Sequence, residues 1–161
     1  MKAVKKALDK TLAIICIGLF GFLVLLVTWQ VFTRFVLNNP SVFSEELAKY
    51  CFVWLVLFGA AYVFGERGHM AVEFIKNKFP TKVKMMVEIL IEVITILFAL
   101  TVLLYGGYLA VDVAWNQLSA SLQIPVGYLY AGIPISGLFI VFYCIYNITS
   151  IIKNNKTIEQ L

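Results

Sequence analysis

Charged residues are scarce in this sequence. Only 14% of its 161 residues are charged, whereas a soluble domain usually carries about 25%. Hydrophobic residues make up 61% of the chain, and the mean hydropathy is +0.91. This composition excludes a water-soluble fold and leaves no room for a separate soluble domain, so we expect one compact domain embedded in a membrane.

Residues that bind metals or carry out catalysis are equally scarce. The chain has one histidine, His69, and three cysteines, Cys16, Cys51 and Cys144, each inside an apolar run and none in a CxxC pair. A membrane haem normally needs two axial ligands, which one histidine does not supply. The sequence has no Ser-His-Asp grouping with plausible spacing, no P-loop and no GxGxxG motif. We therefore predict no metal site, no cofactor and no enzymatic activity.

Four long apolar runs are the main feature of the sequence. They predict an all-α integral membrane protein in which residues 1–161 form a single membrane domain. The transmembrane helices are expected at about residues 11–36, 45–65, 87–113 and 126–152. The first apolar run has 23 residues, which is longer than the roughly 7–15 of a signal-peptide core, so an uncleaved first helix is favoured.

The basic residues are distributed unevenly between the two sides of the predicted membrane domain. Eleven of the 13 Lys and Arg residues lie in the N-terminal segment, in residues 66–86 and in the tail. The other side carries only Arg34 and Lys49. The positive-inside rule then places both termini and the 66–86 segment in the cytoplasm. The net charge of +4 is explained by topology and does not indicate nucleic-acid binding.

The segment between the second and third helices contains an amphipathic pattern. Val72, Ile75 and Phe79 fall on one helical face, and Pro80 would end such a helix. A short interfacial helix and a solvated connecting loop both fit this pattern. Gly68 and His69 precede it and are interpreted as turn residues that form hydrogen bonds.

Most of the charges on the outer side lie in the hairpin between helices 1 and 2. Ser44 is the predicted N-cap of helix 2, with Glu45 and Glu46 in its first turn. Glu45 and Lys49 have the spacing of a favourable ion pair. Arg34 ends helix 1, so it could pair with these carboxylates, or the same charges could face a partner protein.

Small residues and proline suggest how the later helices pack. Gly106, Ala110 and Ala114 recur at spacing four, as in closely packed membrane helices. Pro134 predicts a kink in the outer half of helix 4. Glu92 and Asp112 lie about 30 Å apart along helix 3, so they are interpreted as interface residues that bracket the hydrocarbon core.

The uncharged middles of all four helices bear on function. Transporter sites usually lie at the membrane midplane, between repeats and beside broken helices. The sequence therefore favours an accessory or scaffold subunit over a complete carrier. Two alternatives stay open: a self-sufficient exporter acting as a homodimer, and the membrane anchor of a quinone-linked redox enzyme.

Several short motifs, in order and spacing, resemble the small membrane subunit (DctQ type) of the TRAP transporters, the tripartite ATP-independent periplasmic carriers. They are Gln-Val-Phe-Thr-Arg-Phe at residues 30–35, Phe-Ser-Glu-Glu-Leu-Ala at 43–48, Gly-Ala-Ala from Gly59, and Gly-His-Met-Ala-Val-Glu at 68–73. A weaker match is Ile-Pro-Ile-Ser-Gly at residues 133–137. Phe43 and Glu73 depart from the pattern, which commonly has Trp and Asp there.

This resemblance implies a bacterial inner-membrane protein that acts as a static scaffold. Its implied partners are membrane lipids, a large multi-helix membrane carrier subunit and a periplasmic substrate-binding protein. The carrier would use sodium ions to take up an organic acid such as sialic acid or a C4-dicarboxylate. Arg34, Glu45, Glu46 and Lys49 would lie on the side where the delivery protein docks, and Gly59 would serve helix packing.

Overall fold

The computed structural model describes residues 2–66 and 81–158. Its helices are α1 (Lys2–Phe35), α2 (Val42–Gly65), α3 (Thr81–Phe98), a π-helical segment (Ala99–Gly106), α4 (Gly107–Trp115) and α5 (Gly127–Ile158). The consecutive α3, π-helical segment and α4 make up the third span. The predicted interfacial helix, together with Gly68 and His69, lies outside the described residues.

Among residues 2–66 and 81–158, four helical stretches are long and apolar enough to cross a membrane, which confirms the predicted fold class. They are Lys2–Phe35, Val42–Gly65, Val83–Trp115 and Gly127–Lys153. The turn at residues 36–41 and the connection at residues 116–126 lie at one end of the bundle, called the hairpin end. The first turns of α1 and the last turn of α2 lie at the opposite end, called the terminal end.

Several helix boundaries differ from the sequence-based expectation. α3 begins at Thr81 instead of about residue 87, and α5 continues to Ile158 instead of about residue 152. α1 continues through the lysine-rich segment to Lys2, where an ion pair between Lys5 and Asp9, four residues apart, supports a helical turn outside the apolar run. The N-cap of α2 is Ser41, not Ser44. Ser41 has extended backbone angles (φ −84°, ψ 97°) and its side chain accepts the Ser44 N–H, as an N-cap requires.

α5 is the central helix of the bundle. In its most apolar stretch 39% of the residues are buried within the chain, against 6% for α1 and for the third span. Tyr143 of α5 packs with Leu12 of α1 and Phe58 of α2, and Cys144 of α5 packs with Ala61 of α2. The remaining helices therefore leave most of their apolar surface facing outward, as expected where lipid or another membrane protein replaces water.

Gly107 makes one of the close contacts between the third span and α5. A Cβ added there would lie 2.9 Å from Pro134 Cδ, whereas at Gly106 it would meet only the Thr101 carbonyl of its own span, at 3.6 Å. Within the described residues Gly106 therefore makes no close contact with α5, whereas Ala114 is buried. The role of Gly106, Ala110 and Ala114 as a packing stripe stays a prediction.

Replacing Gly107 with alanine is expected to separate the third span from α5. The new methyl group would crowd Pro134 and Ile133, and overpacking of this kind costs about 1–3 kcal/mol. Gly106→Ala is the matched control, because it adds the same methyl group one residue away without a close contact. Thermal melting in detergent should show a lower Tm for Gly107→Ala only, and equal melting of the two variants would contradict this packing.

Candidate functional site

The four charged residues that the sequence analysis singled out on the outer side all lie at the hairpin end. Arg34 lies in the last turn of α1, and Glu45, Glu46 and Lys49 lie in the first two turns of α2. The turn between the helices is tight, because Asn38 adopts a left-handed conformation (φ 49°) that Asn tolerates better than most residues. The Asn39 N–H then donates to the Thr33 carbonyl, which closes the turn on the end of α1.

The predicted ion pair between Glu45 and Lys49 is confirmed. Lys49 Nζ lies 2.9 Å from Glu45 Oε1. Both side chains are well over half exposed, so water screens the pair and it contributes little to stability. These two charges are therefore available to a partner at the surface.

Glu46 has a different role from its neighbour. Its Oε2 atom accepts hydrogen bonds from two consecutive backbone N–H groups, Ser121 at 2.7 Å and Leu122 at 3.0 Å. Consecutive amides that converge in this way form a small anion-binding concavity. Glu46 thereby fastens the start of α2 to the connection between the third span and α5, a contact that the sequence analysis did not predict.

The connection that Glu46 holds is a compact turn, called the 117–126 hairpin. Ser119 N–H donates to the Ile124 carbonyl at 2.9 Å, and Val126 N–H donates to the Gln117 carbonyl at 2.8 Å. Gln123 sits at the tip in a left-handed conformation (φ 56°), and its side-chain amide donates to the carbonyls of Ser119 and Ala120. The hairpin is thus held from inside by its own hydrogen bonds and from α2 by Glu46.

Arg34 does not make the carboxylate pair that the sequence suggested. Among residues 2–66 and 81–158, no carboxylate oxygen lies within the 4.0 Å ion-pair distance of Arg34. The physical reason is that the Glu45 carboxylate is taken by Lys49 and that of Glu46 by the 117–126 hairpin. Arg34 and Glu45 instead line the same open cavity, of about 180 Å³, together with Gln30 and Ser41.

A second polar cluster lies at the terminal end. Asp9 of α1 accepts a hydrogen bond from the Tyr143 hydroxyl of α5 at 2.7 Å and pairs with Lys5, also at 2.7 Å. Lys5 lies 4.0 Å from Glu66, which follows α2. A Cβ on Gly65 would be 2.6 Å from the Tyr143 ring, so only glycine fits there. This cluster joins α1, α2 and α5 and was missed because its members are far apart in sequence.

Two of the three acidic residues of the third span, Glu92 and Asp112, have different surroundings. Glu92 accepts a hydrogen bond from Asn147 Nδ2 at 3.0 Å, and Asn147 is buried in α5. Asp112 is exposed near the hairpin end. Their interpretation as interface residues stays a prediction, and Glu92 has the additional role of joining the third span to α5.

The remaining predicted packing residues differ in how closely they contact other helices. Pro134 lies inside α5 against Gly107. Ala110 is half-buried. A Cβ added to Gly59 would meet no atom within 4 Å in the described part of the chain. Gly59 therefore makes no close helix contact inside these residues, because its face of α2 points outward.

The described residues separate into charged groups at the ends of the bundle and apolar surface between them. Within the part of the chain that the structure describes, no three His, Cys, Asp or Glu side chains are grouped to hold a metal ion. The charges lie at the two ends of the bundle, and long apolar faces lie between them. These features define a multi-pass membrane protein with its charged side chains at the two ends of the bundle.

Comparison with known proteins places this membrane protein in a family. Residues 23–154 match the family described as "Tripartite ATP-independent periplasmic transporters, DctQ component". Since that match covers most of the chain, the protein belongs to this family of transporter components. The resemblance suggested by the residue 30–35 and 43–48 motifs is thereby confirmed.

Curated relatives carry matching names. The Sialic acid TRAP transporter small permease protein SiaQ of Vibrio cholerae serotype O1 is 28% identical over 153 residues, which cover 95% of this chain and 88% of that protein. A putative TRAP transporter small permease protein of Haemophilus influenzae is 24% identical over 87% of this chain and 86% of its own. The Sialic acid TRAP transporter permease protein SiaT of Haemophilus influenzae is 23% identical over 98% of this chain, but over only 25% of its own length.

Proposed function

We propose that this chain is the scaffold subunit of a TRAP transporter in a bacterial inner membrane. It would support a large carrier subunit in the sodium-coupled uptake of an organic acid, such as sialic acid or a C4-dicarboxylate, delivered by a periplasmic binding protein. The relatives support the partnership: one is named a small permease, and the same kind of sequence fills a quarter of the much longer permease SiaT. On this proposal the chain itself is not an enzyme.

The observation that carries the scaffold role is the absence of charge inside the spans. Residues 11–33, 50–65, 93–111 and 127–152 contain no Asp, Glu, Lys, Arg or His. Ionisable residues inside membrane helices commonly mark substrate and ion pathways, near the midplane of transporters. A chain whose spans carry no charge is suited to hold a carrier in the membrane, and the substrate path is assigned to the larger partner.

The distribution of basic residues gives the proposal its orientation. Both termini lie in the cytoplasm by the positive-inside rule, so the hairpin end faces the periplasm. Arg34, Glu45 and Lys49 are exposed there, where the delivery protein would dock. Exposed charges at the rim of an interface mainly speed association and set its salt dependence.

Neutralising Arg34 is expected to weaken coupling to the delivery protein without unfolding the chain. Since Arg34 makes no ion pair within the described residues, Arg34→Gln should leave the Tm unchanged. In proteoliposomes that contain both membrane subunits, it should raise the concentration of delivery protein needed for half-maximal uptake, more strongly at low salt. Lys6→Gln is the matched control, because it removes one exposed positive charge at the opposite end.

Two outcomes would contradict the docking role of Arg34. The first is an uptake curve for Arg34→Gln that coincides with that of Lys6→Gln at every salt concentration. The second is an equal loss of uptake in both variants, which would indicate a general effect of net charge. Either result would leave the scaffold role in place and remove Arg34 from the docking surface.

A further inference from the structure

Residues 113–152 contain no Asp, Glu, Lys, Arg or His. This stretch includes the entire 117–126 hairpin and most of α5, so the chain passes from the end of the third span into α5 without a formal charge. The other connection at this end, residues 36–41, is flanked by Arg34 and Glu45. A connection without charge has little to hold it in bulk water, whereas it suits the boundary between headgroups and acyl chains.

Apolar and aromatic side chains point outward from the base and side of the hairpin. Leu118 is 61% exposed, and Trp115 and Tyr128, which flank the hairpin, are about half exposed. The rings of Trp115 and Tyr128 contact each other with centroids 5.3 Å apart. Tryptophan and tyrosine concentrate at the level of the lipid headgroups, because each combines an apolar ring with a polar group.

Four backbone amides of the hairpin already have hydrogen-bond acceptors within the chain, so they can leave water without losing a partner. An unpaired amide moved out of water costs free energy comparable to a lost hydrogen bond. The amides of Ser119 and Val126 donate within the hairpin, and those of Ser121 and Leu122, near the tip, donate to Glu46. Glu46 therefore supplies the acceptor for these two amides.

From these three observations we infer that the 117–126 hairpin is a membrane-seated element, inserted at the headgroup level of the bilayer and held there by Glu46. Its ligand is the lipid surface, contacted by Leu118, Trp115 and Tyr128. This assignment concerns the chain alone and does not depend on the proposed transport partners. It gives Glu46 an internal positioning role, distinct from the exposed surface role of Glu45.

A spin label at position 118 tests this inference. The label is attached to Leu118→Cys in a chain whose three native cysteines are replaced by alanine, reconstituted in liposomes of phosphatidylethanolamine and phosphatidylglycerol. We expect its ratio of oxygen to nickel-chelate accessibility to be several-fold higher than that of a matched label at Asn39→Cys. Equal ratios at the two positions would overturn the inference.

Two further arms separate the competing explanations. If the label at position 118 is open to nickel chelate in the chain alone and is protected only after a large membrane subunit is added, the face is a protein interface and the lipid assignment is wrong. Adding Glu46→Ala should lower the ratio of oxygen to nickel-chelate accessibility at position 118 several-fold, whereas Glu45→Ala should leave that ratio unchanged. An unchanged ratio in the Glu46→Ala chain would overturn the positioning role.

A second measurement avoids the cysteine replacements. In the chain with native cysteines, Leu118→Trp adds a fluorophore whose signal is taken as the difference from the unmodified protein. We expect lipids brominated near the headgroup end of the acyl chain to quench this added fluorescence. Quenching by aqueous iodide, with none by brominated lipid, would contradict membrane seating.

Discussion

Replacing Glu46 with alanine should lower the Tm by several degrees, whereas Glu45→Ala should melt close to the unmodified protein. The adjacent carboxylates differ in what they hold. The Glu46 carboxylate satisfies two amides of the 117–126 hairpin, and removing it leaves those donors without their acceptor. Glu45 loses only a solvent-exposed pair with Lys49, which contributes little.

The measurement is thermal melting of both single variants in the same detergent, followed by uptake with both membrane subunits present. The Glu45 and Glu46 variants remove the same group from neighbouring positions, so each is the other's control. Glu46→Ala should lose stability and transport together, and Glu45→Ala should affect transport only. Equal Tm values for the two variants would show that the carboxylate does not hold the hairpin.

Tyr143→Ala is expected to produce the largest loss of stability of any substitution considered. The Tyr143 side chain is completely buried and packs with Leu12 and Phe58, and truncating a buried aromatic residue typically costs about 3–5 kcal/mol. In soluble proteins, part of that free energy is the cost of transferring the side chain from water into the core. The lost packing contacts apply equally within a membrane, where packing drives helix association.

Tyr143→Phe isolates the hydrogen bond to Asp9 from the packing of the ring. It removes a bond between a buried donor and a charged acceptor, which is typically worth about 1.5–3 kcal/mol. Tyr108→Phe is the matched control, because that residue lies on the exposed face of α4. Denaturation in mixed micelles should give the lowest free energy of unfolding for Tyr143→Ala, a higher one for Tyr143→Phe, and an unchanged one for Tyr108→Phe. An unchanged free energy of unfolding for Tyr143→Phe would show that the hydrogen bond to Asp9 does not stabilise the terminal end.

The sequence was sufficient to predict what depends on local patterns. Four apolar runs gave four spans, and a spacing of four residues gave the ion pair between Glu45 and Lys49. The N-cap was placed three residues late, because Ser41 and Ser44 are both suitable residues and only the backbone angles identify Ser41. Short-range rules therefore located the elements and left their ends uncertain by about a turn.

The contacts that fix the bundle join residues that are far apart in sequence. Asp9 and Tyr143 are 134 positions apart, and Glu46 and Ser121 are 75 apart. Helical periodicity says nothing about such pairs. The choice between Gly106 and Gly107 had a different cause. Gly107 and Ala114 are seven residues apart in α4, nearly two whole α-helical turns, so they share a face, whereas a count at spacing four starting from Gly106 drifts away from that face.

The contact between Glu46 and the 117–126 hairpin does have a signal in the sequence. The stretch from residue 113 to residue 152 lacks any charge, and a connection of this kind must find its polar partners elsewhere in the fold. Glu46, which is at the same end of the bundle, was grouped with Glu45 as a surface charge. The structure separates them, because only Glu46 reaches the amides of Ser121 and Leu122.

The most direct test of the scaffold assignment combines purification with reconstitution. The chain is tagged at its C-terminus, extracted gently from the membranes of its native host, and tested for transport in liposomes alone and with whatever membrane protein accompanies it. The account predicts that a much larger multi-pass protein co-purifies, and that uptake requires both proteins and a periplasmic delivery protein. Recovery of the chain only with copies of itself, together with transport by those copies alone, would contradict it.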